Sequence, residues 1–400
     1  MSDSFTEVTH ESWFGRLGNS IKGVLFGIIL FIVAFPLLWW NEGRSVHTAK
    51  ALKELDANVV SVSADKVQSQ YEGKPVHMTA EAVSDETMTD PDFGVSAPGI
   101  KLRRKVEMYQ WKETEKTKEV KKTGGGSRKE TTYSYDKEWS EEAIDSNSFN
   151  SKYRQGHENP GSMRFTTLTK TAAKVSFGRF TLSDALLDQM TNFEPLSLGD
   201  DEVIRLEGKI GNQMAIQADT VYLPHKAESP IPAPANPQIG DLRVSFLVIK
   251  PTTVSIIAKQ TGSTFRKWQS SQAKGMGTSV ERLVLGSQTA EEIVGQMQSE
   301  NAMLTWGLRL AGFLLMAFGI GMVFSPLAVL ADVLPFLGDL LRMGIGLFAA
   351  AVAASLSLVT IALAWLAYRP LFGAALLAVA AALVVALKML GSKKRAAAEL

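Results

Sequence analysis

Four long apolar segments constrain this chain more than any other feature, because each is long enough to cross a membrane; three carry no charge, and the last contains one lysine, Lys388, which can snorkel. The first, residues 23–40, reads "GVLFGIILFIVAFPLLWW", and as a helix at 1.5 Å per residue it spans roughly 27 Å, close to the hydrocarbon thickness of a bilayer. Three further candidates occupy the last quarter of the chain, at residues 310–331, 343–368 and 371–390. The sequence therefore predicts a membrane protein with four transmembrane helices.

The first apolar segment is interpreted as an uncleaved anchor. A secretory signal peptide is the alternative, but the apolar run is long and no small-residue cleavage site follows it. Trp39 and Trp40 stand at its end, where amphipathic rings favour the membrane interface.

Charges beside the spans predict the sidedness. Arg16 and Lys22 precede the first span and four cations lie in "KMLGSKKRAAAEL", so both termini are predicted to be cytoplasmic. Arg44 and two lysines after the first span argue the other way, but long domains cross largely regardless of charge. The predicted organisation is a cytoplasmic N-terminal segment (1–22), span 1 (23–40), a lumenal or periplasmic domain (41–302), the span 2 region (303–331), a short cytoplasmic loop (332–342), span 3 (343–368), span 4 (371–390) and a cytoplasmic tail (391–400).

The predicted domain alternates polar and apolar residues with period two, which is typical of half-buried strands. The fold class is therefore an α+β membrane protein whose large domain is a small β-barrel or sandwich. "EVIRLEGKI" and "MAIQADTVYL" are predicted as strands around a Gly-Asn turn. The proline-rich segment 224–237 is predicted as a surface connection. The alternative is a proline-rich docking site for a partner.

One strand, "LRRKVEMYQW", combines cations with rings and is the candidate contact for a partner or a lipid. Its candidate residues are Arg103, Arg104, Lys105, Tyr109 and Trp111. Nucleic acid is not expected as a partner, because neighbouring carboxylates would repel phosphate. The glycine-rich "KEVKKTGGGSRK" is predicted as the loop of a hairpin in which Tyr109 and Trp111 meet Tyr133 or Tyr135.

Small residues recur at helical spacing in the second and third spans and are candidates for close helix packing. They are Ala317, Gly321, Gly346, Ala350 and Ala353. Packing within one chain and self-association into a homo-oligomer are both compatible with this pattern.

The sequence indicates a binding protein and not an enzyme. There is no cysteine, and the five histidines lack metal-ligand spacing. His157 beside Glu158 is the best local site candidate, but its Gly/Asn/Pro context favours a turn. No cofactor or metal site is expected. A homo-oligomeric channel or transporter component is the main alternative, although the charges of the spans, such as Arg309, fall near span ends where snorkelling is enough.

Several longer motifs resemble the LUMA family, also called the transmembrane protein 43 family. They include "NEGR", "DPDFGV", "LRRKVEMYQWKETE", "YSYDKEW", "TWGLRLAG" and "WLAYRPL". The resemblance implies four spans, a large lumenal domain and no established catalytic residues. It implies a scaffold of the endoplasmic reticulum and inner nuclear membrane that self-associates and binds emerin and lamins if the chain is eukaryotic. If the chain is bacterial, it implies an organiser of complexes of other membrane proteins in the inner membrane.

Overall fold

The computed structural model describes residues 3–226, 229–275 and 277–370. It confirms the α+β class, and three of the described helices are long and apolar enough to cross a membrane. The helices are α1 (Trp13–Asn58), α2 (Asp184–Leu187), α3 (Asp200–Ile210), α4 (Ala290–Ala331) and α5 (Pro335–Tyr368), with 3₁₀ turns at Ser69–Tyr71 and Ser146–Ser148.

The described strands are mostly short, apart from one long hairpin. They are β1 (Asp3–Glu11), β2 (Val60–Ser61), β3 (Pro75–Val83), β4 (Thr87–Thr89), β5 (Ser96–Pro98), β6 (Lys101–Lys121), β7 (Ser127–Ser140), β8 (Leu168–Thr171), β9 (Ser176–Phe177), β10 (Phe180–Thr181), β11 (Glu194–Pro195), β12 (Ala215–Gln217), β13 (Thr220–Leu223), β14 (Leu242–Ile249), β15 (Thr252–Thr261), β16 (Thr264–Arg266), β17 (Trp268–Gln269), β18 (Ser279–Val280) and β19 (Arg282–Leu285).

Two large sheets form the domain. The first has the order β1-β7-β6-β14-β13-β12, with β11 beside β14 and β8 beside β6; the second has the order β10-β9-β3-β15-β16, with β19 beside β15 and β2 beside β3. Strands β14 and β15 follow one another in the chain but belong to different sheets. Val248 and Ile249 from β14 meet Val254 and Ile256 from β15 in one apolar cluster. The sheets therefore share a core, as in a sandwich.

A three-stranded ribbon extends from the first sheet to the far end of the long helices. β1 pairs with β7 from Asp3 opposite Tyr135 to Glu11 opposite Ser127, and β7 pairs on its other side with β6 as far as Lys121. The nine residues of β1 correspond to roughly 30 Å at 3.3 Å per residue, about the thickness of a bilayer's hydrocarbon core.

The tip of this ribbon contacts the helix ends at which α1 begins and α4 ends. The backbone N–H of Gly124 donates to the carbonyl oxygen of Val333 at 3.0 Å, and Arg16 Nη1 donates to the carbonyl oxygen of Gly125 at 2.5 Å. The domain therefore contacts both ends of the helix bundle.

This ribbon bears on the predicted sidedness, which places residues 1–22 and residues 41–302 on opposite sides of the membrane. β1 and β7 come from these two segments and lie in one sheet. A ribbon that crosses the membrane beside the helices would need water or protein around its polar strands, because lipid cannot satisfy an open sheet edge. The sidedness stays a prediction.

The long helices contain the predicted spans that fall in the described residues: residues 23–40 lie in α1, 310–331 in α4 and 343–368 in α5. Helix α5 begins at Pro335, a residue that suits the first helical position. Residues 335–342, predicted as loop, are therefore helical, and residues 332–334 alone make the turn. The predicted span 371–390 and the tail lie outside the described residues.

The strand prediction for "EVIRLEGKI" is wrong, because this segment belongs to α3. Asp200 and its two acidic neighbours occupy the first turn and Lys209 the last turn, an arrangement that the helix dipole favours. Leu206 points into the apolar core, and Gly211, with a φ of 79°, ends the helix. The hairpin turn lies instead at Ala218 and Asp219, between β12 and β13.

Helices α1 and α4 run antiparallel and approach most closely at two glycines. A methyl group on Gly27 would lie 2.7 Å from the carbonyl oxygen of Gly319, and one on Gly319 would lie 2.6 Å from the carbonyl oxygen of Gly27. In lipid there is no hydrophobic driving force that brings two helices together, so their association depends on close packing, and small residues allow the backbones to approach. The apolar core beside this crossing contains Ala34, Leu38, Met316, Ile320, Ala349 and Ala353.

We expect Gly319→Ala to destabilise the bundle by about 1–3 kcal/mol, because the added methyl group overpacks the crossing against backbone atoms. Gly321→Ala is the matched control, since a methyl group there meets no atom within 4 Å. Thermal unfolding of both variants in the same detergent measures the difference. Equal melting temperatures would show that the two backbones do not touch.

Candidate functional site

The strand β6, which carries the basic and aromatic candidates, alternates between two faces as its sequence predicts. Arg103, Lys105, Tyr109 and Trp111 are partly exposed on one face. Arg104 lies on the other face with Val106 and Met108, and its residue surface is only 4% exposed. The five candidate residues therefore do not form one surface.

Arg104 is held inside the domain by two carboxylates. Its Nη1 donates to Asp90 Oδ1 at 2.8 Å and to Asp92 Oδ2 at 2.6 Å. Its guanidinium lies 5.0 Å from the centre of the Phe93 ring, and Asp90 Oδ1 also accepts the backbone N–H of Phe93. Arg104 thus fixes the loop after β4 against the first sheet and is not accessible to a partner.

The exposed face of β6 carries both signs of charge. Arg103 Nη2 donates to Glu141 Oε2 at 3.1 Å, and Lys105 Nζ lies 3.2 Å from Glu107 Oε1. Arg243 makes two hydrogen bonds to Glu107, at 2.7 and 2.9 Å. Burial opposes ionisation of Glu107, but the hydrogen bonds from Arg243 and Lys105 outweigh it, so the pKa of Glu107 lies below its ordinary value.

The hairpin that the sequence predicts is present, in a different register. Tyr109 lies opposite Trp139 with ring centres 5.2 Å apart, and Trp111 lies opposite Lys137, whose Nζ is 4.6 Å from the ring. The predicted partners Tyr133 and Tyr135 lie opposite Glu115 and Glu113, two to six positions further along β6. The register differs because both strands continue through most of the expected loop, leaving residues 122–126 as the turn.

A second polar site, which sequence reasoning missed, lies where the long helices leave the apolar region. Glu42 is 1% exposed and accepts hydrogen bonds from Arg309 Nε at 2.7 Å, Arg309 Nη2 at 2.8 Å and Trp365 Nε1 at 2.7 Å. This contact joins α1, α4 and α5. Arg309 is therefore paired inside the protein, whereas the sequence predicts that it reaches the interface by snorkelling.

Arg44 extends this site towards the domain, because one of its partners, Thr305, lies one turn before Arg309 in α4. Its Nη1 donates to Asn301 Oδ1 at 2.9 Å and its Nη2 donates to Thr305 Oγ1 at 2.9 Å. Both acceptors are neutral, so the charge of Arg44 is not balanced by a direct carboxylate partner here. We call the group of Asn41, Glu42, Arg44, Asn301, Thr305, Arg309 and Trp365 the collar. The signal in the sequence was the pair of opposite charges in "NEGR" at the end of an apolar segment.

A third polar site lies at the opposite end of the bundle. Asp332 is 0% exposed and forms ion pairs with Arg16 at 2.6 Å and with Arg342. Lys121, at the end of β6, lies 3.9 Å from its second oxygen, and Arg16 Nη1 donates to the carbonyl oxygen of Gly125 at 2.5 Å. We call these five residues the tip junction, because they bind the hairpin tip to the helices.

The residues predicted for helix packing divide into two groups. Ala353 is fully buried in the helix core, and Ala317 packs partly against it. A methyl group added to Gly321 or Gly346 would meet no atom within 4 Å, and Ala350 is half-buried. Self-association through the second group stays a prediction.

His157 has a structural position. Its ring stacks on Tyr135 with centres 4.0 Å apart, and its Nε2 lies 3.1 Å from Asp3 Oδ2. Within residues 3–226, 229–275 and 277–370, no group of three or more His, Cys, Asp or Glu side chains could hold a metal ion. The collar and the tip junction join elements that are distant in the chain.

We expect Arg104→Gln to destabilise the domain by about 3–5 kcal/mol, because it leaves Asp90 buried without its cationic partner. Arg103→Gln is the matched control and should cost less than about 0.5 kcal/mol, as usual for an exposed pair. Thermal unfolding of the full chain in detergent measures both. Similar melting temperatures for the two variants would contradict the buried position of Arg104.

We expect the stabilising effect of Glu107 to disappear in acid. Its folded-state pKa is lowered, so its contribution is complete above its ordinary value of 4.5 and is lost as the pH falls through the folded-state value. Glu107→Gln should therefore lower the melting temperature at neutral pH, and the gap to the parent chain should narrow progressively as the pH falls below 4.5. The exposed Glu115→Gln is the control and should show no gap that depends on pH.

Comparisons with known proteins find relatives that align with most of this chain. Residues 108–370 match the family model described as Transmembrane protein 43. Transmembrane protein 43 of Rattus norvegicus is 37% identical over 372 residues, which cover 90% of this chain and 88% of the relative. The protein of the same name from Homo sapiens is 37% identical over 368 residues, covering 89% of this chain and 87% of the relative.

A more distant relative, the Transmembrane protein 43 homolog of Drosophila melanogaster, is 29% identical over 373 residues, covering 88% of this chain and 90% of the relative. No solved structure matches the chain at a significant level. The family model includes most of the long hairpin, the α4 and α5 parts of the collar, and the tip junction apart from Arg16. The chain belongs to the Transmembrane protein 43 family, the LUMA family.

Proposed function

We propose that this protein is a multispanning membrane scaffold that organises complexes of other membrane proteins and associates with copies of itself. The bilayer is its environment, and its compartment depends on the source: the bacterial inner membrane, or the endoplasmic reticulum and inner nuclear membrane in a eukaryote. Its large domain provides the binding surfaces, and its helices provide anchorage and assembly.

The observation that carries this proposal is that the buried charged side chains join separate elements of the fold. Glu42 binds Arg309, Asp332 binds Arg16, and Arg104 binds Asp90, and each pair joins segments that are distant in the chain or belong to different elements. Buried ion pairs of this kind specify an arrangement of elements more than they stabilise it. The ionisable groups therefore build a rigid frame, as a protein that positions its partners requires.

The first sheet has a long exposed edge strand among the described residues. β1 is an edge strand of the first sheet, most of its residues are exposed, and Val8 is 44% exposed. Exposed edge strands accept further strands through backbone hydrogen bonds. This edge is the surface on which we place a protein partner.

Crosslinking mass spectrometry on the protein purified from its own membrane in mild detergent tests the proposal. We expect recurrent crosslinks from residues 41–302 and from the segment that contains β1 (Asp3–Glu11) to a small set of other membrane proteins. Mixing isotope-labelled and unlabelled copies before crosslinking separates contacts between copies from contacts within one chain. Crosslinks that never leave the single chain would overturn both the scaffold and the self-association.

A homo-oligomeric channel or transporter component is the second candidate, and the ribbon favours it. A polar ribbon about as long as the hydrocarbon core is thick could face water inside a ring of several copies, since lipid would not accommodate it. Ion flux through the purified protein in liposomes is the discriminating measurement. Flux without any other protein would support the channel and count against a purely stoichiometric scaffold.

A further inference from the structure

A cavity of about 170 Å³ lies between α1, the end of α5 and the loop that follows β17. Its lining includes Arg44, His47 and Lys274, and the rings of Trp40 and Tyr368. The volume is several times the roughly 30 Å³ that one water molecule occupies in the liquid. The cavity borders the collar through Arg44 and has no role in the scaffold proposed above.

Two polar atoms of the lining are buried and have no hydrogen-bond partner. They are Arg44 Nε and His47 Nδ1. The terminal nitrogens of Arg44 donate to the neutral acceptors Asn301 and Thr305, and Lys274 adds an exposed ammonium group. Arg44 Nε is a donor, and His47 Nδ1 donates when the ring is protonated or in one of its two neutral tautomers. A buried donor without an acceptor is costly, so an anion that accepts from these groups would be bound favourably.

Among the residues that the structure describes, no carboxylate lines this cavity. The acidic residues of the neighbouring helix are occupied elsewhere: Glu42 accepts from Arg309 and Trp365, and Glu54 accepts from the backbone N–H groups of Ser271 and Gln272. Glu42 therefore acts on Arg44 through its charge but makes its hydrogen bonds to Arg309 and Trp365.

The position of the cavity matches the level of lipid headgroups. Trp40 is the last residue of the predicted first span and is 44% exposed, as an interfacial ring would be. Tyr368, at the end of the third predicted span, packs against Gly43, where an added methyl group would lie 2.7 Å from the ring carbon Cζ. The wall that Tyr368 forms thus depends on a glycine in α1. Both rings place the cavity at the edge of the apolar segments.

We propose that this cavity binds a phosphate group, supplied by the headgroup of a membrane phospholipid. Arginine and lysine make short, charge-assisted hydrogen bonds to phosphate oxygens, and basic pockets between membrane helices bind lipid headgroups. The acyl chains of such a lipid would lie along the apolar segment of α1 that ends at Trp40. The inference does not depend on the scaffold function, and failure of the crosslinking experiment would leave it unaffected.

Titration of the purified full chain with short-chain phosphatidic acid, followed by tryptophan fluorescence and thermal shift, tests this site. Inorganic phosphate is titrated in parallel to separate a headgroup from the free anion. We expect saturable binding of the lipid, with about tenfold weaker affinity in Lys274→Gln, the loss of one hydrogen bond to a charged group. Lys267→Gln, an exposed lysine of the same segment outside the cavity, should bind like the parent chain.

The outcomes are distinct. Binding of the lipid alone, weakened by Lys274→Gln, supports a headgroup site, and binding of both ligands supports a phosphate site without selectivity for lipid. Equal affinities in the parent chain, Lys274→Gln and His47→Asn would overturn the proposal, as would the absence of saturable binding. The melting temperature of each variant without ligand shows whether it is folded.

Discussion

The antiparallel pairing of α1 and α4 is the contact on which the other parts of the structure depend. The two backbones meet at Gly27 and Gly319 within the apolar segments. They are joined again by the ion pair of Glu42 and Arg309 at the boundary of those segments. Beyond it, both helices continue into the domain, where Leu52, Leu55, Ile293 and Val294 share an apolar cluster with side chains of β15, β17 and β18. The membrane part and the sheets are therefore one mechanical unit.

The ribbon connects the domain to the opposite end of the same helix pair. Its tip is bound through Asp332, whose burial is tolerable because two arginines surround it. The helix pair is thus tied to the domain at both ends, at the collar and at the tip junction. A change at either end would be transmitted along two packed helices. This arrangement explains why buried charges are placed at the ends of the apolar segments and not in their middle.

Local patterns predicted much of the fold. The apolar segments placed three helices, and the period-two alternation placed Lys105, Tyr109 and Trp111 on the exposed face of β6. The burial of Arg104 was not predicted. These local patterns did not predict which side chains form ion pairs with one another. Asp90 satisfies Arg104 from a separate loop, so the strand sequence alone made three adjacent cations look equally accessible. The register of the hairpin was missed because polar strands that extend beyond a domain resemble a loop. Helix α3 was predicted as a strand because its short apolar stripe also fits a strand. The acidic residues of its first turn and Lys209 in its last turn favour a helix.

By itself the sequence determined the properties that arise between near neighbours: which segments are apolar enough for a membrane, which strands are amphipathic, and which family the motifs resemble. Only the tertiary structure decided which charges meet, because the partners are far apart in the chain. Arg309 and Glu42 are separated by 267 positions, and Arg16 and Asp332 by 316. Tertiary structure likewise brought Arg44 and His47 to a common cavity with Lys274. A periodic pattern cannot encode such meetings, since they depend on how whole elements pack and not on the spacing within any one of them.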